Sequence, residues 1–402
     1  MSIAERAVEL QDELVRLRRE LHEEPELGLE LPRTQEKVLR ALDGLPLEIT
    51  LGKKLNSVTA VLRGSLPGGA VLLRGDMDAL PVREDSGESF ASKIDGRMHG
   101  CGHDLHTAGL VGAAHLLAER RESLHGDVVL MFQPGEEGFN GAGAMIEEGV
   151  LDAAGKKLDA AYALHVTSSM LPSGMITGRP GPAMAASDAF SVKLTGRGGH
   201  GSAPHSAKDP VPAICEMVTA IQAYVTRTFD IFDPVVVTVG TLHAGTQENV
   251  IPEHAEFRAT VRSYSAKNQE RLLTDLPRLA KGIASAHGLD VEAHYQVLYP
   301  VTINDHDETH FMMRAAGELF GDEVPVMPQP LSGSEDFSLV LREAPGAMLF
   351  VGATPPDLDP TSAPMNHSPQ CRFDDAVLHR QAALLADVAV KRLSATAPPI
   401  AD

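Results

Sequence analysis

Between Met98 and His106 the chain reads Met98-His99-Gly100-Cys101-Gly102-His103-Asp104-Leu105-His106. Three histidines, a cysteine and an aspartate fall within eight residues. Thiolate and imidazole are the usual ligands of zinc and similar borderline-soft metals. Glycines flank the cysteine, and glycine lets a backbone turn tightly and approach a bound group. A thiolate and an imidazole two residues apart in such a loop can point at one ion. This density of ligands favours a metal site over a Gly-rich loop with surface histidines and a buried cysteine.

More groups of the same chemistry stand beside short apolar runs. Ala70–Leu73 leads into Arg74-Gly75-Asp76-Met77-Asp78-Ala79-Leu80-Pro81. Asp127–Phe132 leads into Gln133-Pro134-Gly135-Glu136-Glu137-Gly138, and Asp159–Leu164 into His165. Adjacent residues such as Glu136 and Glu137 point in different directions, so one can bind metal while the other holds a proton. Two carboxylates near metal ions also split in pKa, leaving one suited to general-base work. Alone, Glu136-Glu137 reads as an acidic surface turn and His165 as a core histidine. Their common place after an apolar strand argues otherwise, because open α/β sheets bind ligands at that edge. His200 lies in a second Gly-rich run, Gly196 to His205. His367 lies in a loop with Asn366, Ser368 and Pro369. His22, His115 and His125 read as ordinary.

The elements that position these groups follow from periodicity. Leu10, Leu14, Leu17 and Leu21 make one stripe of a helix over 3–22, stopped near Pro25. A second helix is expected from about Thr34. Val58–Leu62 and Ala70–Leu73 suit buried strands. A helix over about 104–121 follows the Cys101 loop, and another covers about 141–149. The pattern changes near 183. Phe190, Val192 and Leu194 alternate with polar residues, as do Ala255 to Val261 and Val291 to Val297. With Val235–Thr241 and helices over about 210–227 and 267–287, the order is β-α-β-β-α-β, the ferredoxin-like pattern. Strands alternate in this way when one sheet face is left uncovered. After about 298 the α/β character returns, with a helix over 308–319, a strand at Ala347–Gly352 and a last helix over 374–393. The tail Ala395–Asp402 is expected to fray. The fold class is α/β with two domains. Residues 1–182 plus 299–402 are expected to form one doubly wound domain, and 183–298 an inserted ferredoxin-like α+β domain.

A chain of 402 residues exceeds one typical core. A net charge of -20 repels phosphate backbones and anionic membranes. No nucleic-acid or membrane partner is therefore expected, and no run of eighteen apolar residues spans a bilayer. The N-terminus lacks a basic and an apolar signal region. Three cysteines make no disulfide framework, and a thiolate ligand suits a reducing compartment. The expected location is the cytoplasm, and Cys215 and Cys371 are expected to be structural.

The motifs Arg18–Glu26, Arg74–Pro81, Met98–His106, Gln133–Gly138, Gly198–Pro210, Asn249–Pro252, Ser334–Phe337 and His367 resemble, in order and spacing, the M20 metallopeptidase family. The similarity is narrower towards bacterial N-acyl-amino-acid amidohydrolases, hippurate hydrolases and plant auxin-conjugate hydrolases. The resemblance implies a catalytic domain with two divalent ions (Mn, Zn, Co or Ni) and a smaller domain that dimerises. It implies Cys101, His103, Glu137, His165 and His367 as metal ligands and Glu136 as general base. Asp78 would orient a ligand or tune the site from behind it. His200 would stabilise the oxyanion, and Asn249 with Arg262 would hold the substrate carboxylate. In most of the wider family a His occupies the place of Asp76, so the bridging ligand stays open. The reaction implied is hydrolysis of a small-molecule N-acyl amino acid by a homodimer. A dipeptidase or carboxypeptidase of the same family, or a silent metal-binding homologue, are the alternatives.

Overall fold

A computed structural model describes residues 1–395. The expected frayed tail, from Thr396 on, lies outside the described residues. In chain order the elements are α1 (Ile3–Glu23), α2 (Pro32–Ala41), β1 (Leu47–Leu51), β2 (Val58–Arg63), β3 (Leu66–Asp76), α3 (His103–Ala118), β4 (His125–Gln133), α4 (Gly141–Glu147), β5 (Ala160–Pro172) and β6 (Ile176–Thr177). Then come β7 (Gly181–Met184), β8 (Ala186–Thr195), β9 (Gly199–His200), α5 (Pro210–Thr228), β10 (Val235–Ala244), β11 (Val250–Ile251), β12 (His254–Ser263), α6 (Ala266–Ala286) and β13 (Asp290–Tyr299). The chain closes with β14 (Thr302–Asn304), α7 (His306–Phe320), α8 (Phe337–Glu343), β15 (Gly346–Thr354) and α9 (Leu378–Ala395). They fall into two compact units, Met1–Gly181 with Ile303–Gln329 and Leu339–Asp402, and Pro182–Thr302 with Pro330–Ser338.

The first unit is built on a seven-stranded sheet, ordered β1-β2-β4-β3-β5-β15-β6. Its centre, β4-β3-β5-β15, is parallel, and β1, β2 and β6 are antiparallel margins. The chain steps from β3 to β4 on one side, then from β4 past β3 to β5 on the other. Such a switch point opens a crevice at the carboxyl ends of the strands. Asp76 and Gln133, the last residues of β3 and β4, pair there. The ladder between β3 and β5 stops at Arg74↔Ala163, two residues before His165, while β5 keeps β15 beside it (His165↔Phe350). His165 therefore does not end its strand, as the sequence suggests; β5 runs on to Pro172 because β15 continues to pair with it.

Helix α3 is buried on almost every side, with α1 and α9 packed on it in one apolar core. Close approach needs a small residue. A Cβ at Gly112 would lie 2.7 Å from the Ala382 Cβ and 2.8 Å from Leu14. At the other end of the molecule's order, α2 starts at Pro32 rather than Thr34, because Pro at the first turn needs no donor. A short 3-10 turn, Asp375–Val377, precedes α9 and delays its start to Leu378.

The second unit is a four-stranded antiparallel sheet ordered β10-β12-β8-β13, with α5 and α6 supplying the rest of its own core. Phe190, Val192, Leu194, Phe257 and Val261 point into that core, while Glu256, Arg258 and Thr260 are exposed on the other face. Among the described residues no helix is long and apolar enough to cross a membrane.

Candidate metal centre

The Cys101 loop enters α3 through Gly102, which caps the helix in the left-handed region at φ 83°. A Cβ there would stand 2.3 Å from Val166 Cγ2 and 3.1 Å from the Phe373 ring. Only glycine meets both conditions, and it sets Cys101 and His103 on either side of the turn. Gly102→Ala is expected to cost about 1–3 kcal/mol of stability through strain and overpacking. Urea unfolding of the metal-free protein measures this, and an unchanged midpoint would contradict it.

Two histidines at the loop have a proton position set by their second nitrogen. His103 Nδ1 donates to the Asp78 carbonyl at 2.9 Å, so Nε2 carries the lone pair; it is buried and makes no hydrogen bond. His165 Nδ1 donates to the Val166 carbonyl at 2.8 Å, and its Nε2 lies 3.6 Å from Cys101 Sγ. His367 Nε2 lies 3.3 Å from the same sulfur and 3.2 Å from Glu137 Oε1. Two trios result, Cys101–His103–His165 and Cys101–Glu137–His367, each with donor atoms within 4.8 Å of one another. Cys101 belongs to both. A third group, His103–Glu136–Glu137, adjoins them.

Asp78 holds the acidic turn from below. Its two carboxylate oxygens accept the backbone N–H groups of Glu136, at 2.9 Å, and of Glu137, at 3.0 Å. One residue thus ties His103 by its carbonyl and both glutamates by its side chain.

The charges are those of a cation site. Burial alone would raise the Cys101 thiol, yet His165 and His103 hold it well below its usual range. Burial and the Cys101 charge push Glu137 up. Hydrogen bonds to Cys101 and Glu137 raise His367 to about 10. Imidazolium protons here answer negative charge that a ligand set presents to metal. His103 Nε2 is buried without a hydrogen bond, and Glu137 Oε1 faces His367 Nε2 at 3.2 Å. The mixed S, N and O donors and the orphaned His103 nitrogen fit divalent ions.

Residues 72–391 match Peptidase family M20/M25/M40. The chain belongs to this family. It is 37% identical over 387 residues to Thermostable carboxypeptidase 2 of Saccharolobus solfataricus, which spans 95% of this chain and 96% of that one. It is 35% identical over 401 residues to Hippurate hydrolase of Campylobacter jejuni, covering 98% and 100%. The structure is similar to that of the Bacillus subtilis YXEP protein, described as a dinuclear metal binding peptidase from M20 family, with a TM-score of 0.82 and 32% identity over 96% of this chain and 99% of that one. This M20 chain is a metal-dependent hydrolase of amide bonds with a dinuclear metal-binding site.

Behind the two trios lies a polar layer. His106 Nδ1 donates to Asp76 at 2.6 Å, and Val166 N–H donates to His106 Nε2 at 2.8 Å. Both ring nitrogens are thus used, so His106 supports the β5 strand next to His165 rather than holding an ion. Asp104 lies 2.7 Å from Arg18 and 2.8 Å from His22, all three buried. Burial opposes the Asp104 charge, but Arg18 and His22 hold its carboxyl far below the usual range. His22 is therefore not an ordinary histidine: with Arg18 it pins α1 to the residue after His103. The detectable signal is two polar residues, four apart, beside the leucine stripe of α1. His99 is buried, belongs to neither trio, and is pushed by burial down to about 3. Cys371 is buried and donates to the Gly100 carbonyl, whereas Cys215 is exposed on α5.

In the second unit, β9 pairs with β11 so that His200 faces Val250, and Gly201 N–H donates to the Asn249 carbonyl at 2.8 Å. His200 and Asn249 are brought together and both are exposed. Arg262 is half-buried and donates to Ser187 and Thr260 hydroxyls, each at 2.8 Å, and to the Val261 carbonyl.

Proposed function

We propose that this enzyme is a carboxypeptidase-type amidohydrolase, cutting the amide whose nitrogen belongs to an amino acid with a free α-carboxylate. The observation that carries the reading is the pair of trios sharing Cys101, with Glu136 and Glu137 held side by side by Asp78. Similarity over 95% of the chain to a carboxypeptidase supports a peptide substrate. Similarity to a hippurate hydrolase supports the second reading, N-acyl amino acids of the N-acetyl or N-benzoyl kind.

Cys101, His103, Glu137, His165 and His367 are the proposed ligands, with Cys101 shared. When bound, two divalent ions supply positive charge that acidifies a water and polarises the amide carbonyl. Glu136 takes the proton of that water as it attacks, then delivers it to the leaving amine nitrogen. Asp78 keeps Glu136 and Glu137 in place and fixes the tautomer of His103. His200 is the proposed oxyanion donor, and Asn249 and Arg262 the proposed holders of the carboxylate. We take residues 183–298 as a ferredoxin-like domain, on the strength of its β-α-β-β-α-β order, and give it the lid and dimerisation role that the resemblance to the M20 family implies, with 1–182 and 299–402 as the catalytic domain. A homodimer in the cytoplasm fits a thiolate ligand that needs a reducing compartment.

Steady-state assays test the substrate. Blocked peptides with a free C-terminus, dipeptides, hippurate and N-acetyl amino acids are compared, each with its C-terminal amide counterpart. Cleavage of blocked peptides, lost in their amides, is the expected result. Turnover of acyl amino acids alone would move the assignment to the second reading, and equal cleavage of the amides would refute both.

Chelation is expected to abolish activity, and added Mn, Co, Ni or Zn to restore it. Cys101→Ala removes a donor from both trios, so it is expected to lose most bound metal. Elemental analysis checks this, and full metal content in the variant would defeat the assignment.

A further inference from the structure

His367 is the ligand with least packing around it. Its side chain is 52% exposed, against 15% for Glu137 and 1% for His103. Its backbone also sits at φ 72°, in the left-handed region. A residue with a Cβ gives up about 1–2 kcal/mol there. Something other than burial must hold it. One anchor is its own N–H, which donates to the Gly100 carbonyl at 2.8 Å.

The other anchor is Asn366. Its Oδ1 accepts from Ser168 N–H at 2.8 Å and from Ser168 Oγ at 2.9 Å. Its Nδ2 donates to the Val166 carbonyl at 3.1 Å and the Cys101 carbonyl at 3.3 Å, and lies 3.8 Å from Cys101 Sγ. The amide orientation is decided by its partners. A backbone N–H demands the oxygen, and two carbonyls demand the nitrogen. The side chain thus ties together the residue before His367, the cysteine shared by both trios, and the strand just beyond His165. The strand and the cysteine lie 200 and 265 residues from it in sequence.

We propose that Asn366 is a positioning residue of the dinuclear centre, holding His367 over the shared Cys101 sulfur so that the Cys101–Glu137–His367 trio forms. This rests on the reading of Cys101 and His367 as ligands. A filler role would predict only a general loss of stability on substitution. A positioning role predicts a selective loss: the trio with His367 weakens, while Cys101–His103–His165, held by Asp78, Val166 and packing, keeps its ion. Residues that orient metal ligands typically contribute 10–100-fold in affinity.

Asn366→Asp is the sharpest probe. It keeps size and shape but turns an oxygen towards two carbonyls and a thiolate. The metal-free protein is titrated with Co²⁺ against a competing chelator, and the sulfur-to-cobalt charge-transfer absorption is followed. The expected result is one Co²⁺ bound as in wild type and the second at least 10-fold more weakly, with a changed absorption band. Two wild-type affinities and an unchanged band would overturn the proposal. Equal weakening of both ions would also overturn it. Should Asn366→Asp fail to fold, Ser168→Ala removes a single hydroxyl from the same network. Selective weakening of the second ion supports the proposal there too, and wild-type binding of both ions overturns it. Cys101→Ser serves as control: if it keeps the absorption band, the ligand reading fails; if it loses the band while Asn366→Asp binds as wild type, only the role of Asn366 fails.

Discussion

Glu136→Gln leaves a folded protein that binds both divalent ions and turns over about 10²–10⁴-fold more slowly. The change keeps the size of a buried side chain and does not touch the backbone N–H that Asp78 holds at 2.9 Å. What disappears is the proposed base, the group assigned to accept a proton from water and return it to the amine. Glu137→Gln, one residue on, has a different consequence. Glu137 Oε1 lies 3.2 Å from His367 Nε2 and shares a trio with it and Cys101. Losing that charge weakens metal binding first and turnover as a result. Metal content and kcat measured on both variants separate the roles. Loss of metal in Glu136→Gln would make Glu136 a ligand, as its group with His103 and Glu137 would then require.

Mixing two inactive proteins restores activity in the second expected result. Nδ1 of His200 accepts Ser202 N–H at 3.2 Å, so the neutral ring carries its proton on Nε2, in an exposed position. That makes it a hydrogen-bond donor without a change of charge, as an oxyanion requires. Loss of one such donor costs about 10²–10³ in kcat. We predict that His200 serves the centre of a paired copy. Glu136→Gln and His200→Ala would each be nearly dead as pure proteins. In a mixed dimer one centre combines both defects, and the other receives Glu136 from one chain and His200 from its partner. Activity therefore reappears on dissociation and reassociation. Verified mixed dimers that stay inactive would place His200 in its own chain's centre, or require another donor.

Much of this architecture is legible in the chain because its signals are local. The apolar runs of β2 to β5, the leucine stripe of α1 and the alternation in β8, β12 and β13 reflect which faces are buried. Strand β1 is harder. Leu47, Ile49 and Leu51 alternate with Glu48 and Thr50, but Leu42 and Leu45 carry a helical spacing into it, and Ile49 and Leu51 are exposed at a sheet edge. The ligand types are visible, as are the glycines around Cys101. Their support is not. Asn366 has no periodic partner, and His106 resembles a ligand until Val166 N–H is found on its free nitrogen. Side chains that act on residues hundreds of positions away leave no mark on their own neighbourhood.

The first unit is assembled from the two ends of the chain, and this sets an order of events at the ribosome. Strand β5 emerges early, but its parallel neighbour β15 follows about 180 residues later, after the whole second unit has been made. Until then one margin of β5 has no strand to pair with, and the long loop must close before the sheet is complete. His367 comes later still. A polypeptide cut short between His165 and His367 retains Cys101, His103, Glu137 and His165 but has no residue to complete the second trio. On the proposed ligand set, the second trio therefore cannot form on the nascent chain until the segment just before α9 has been synthesised.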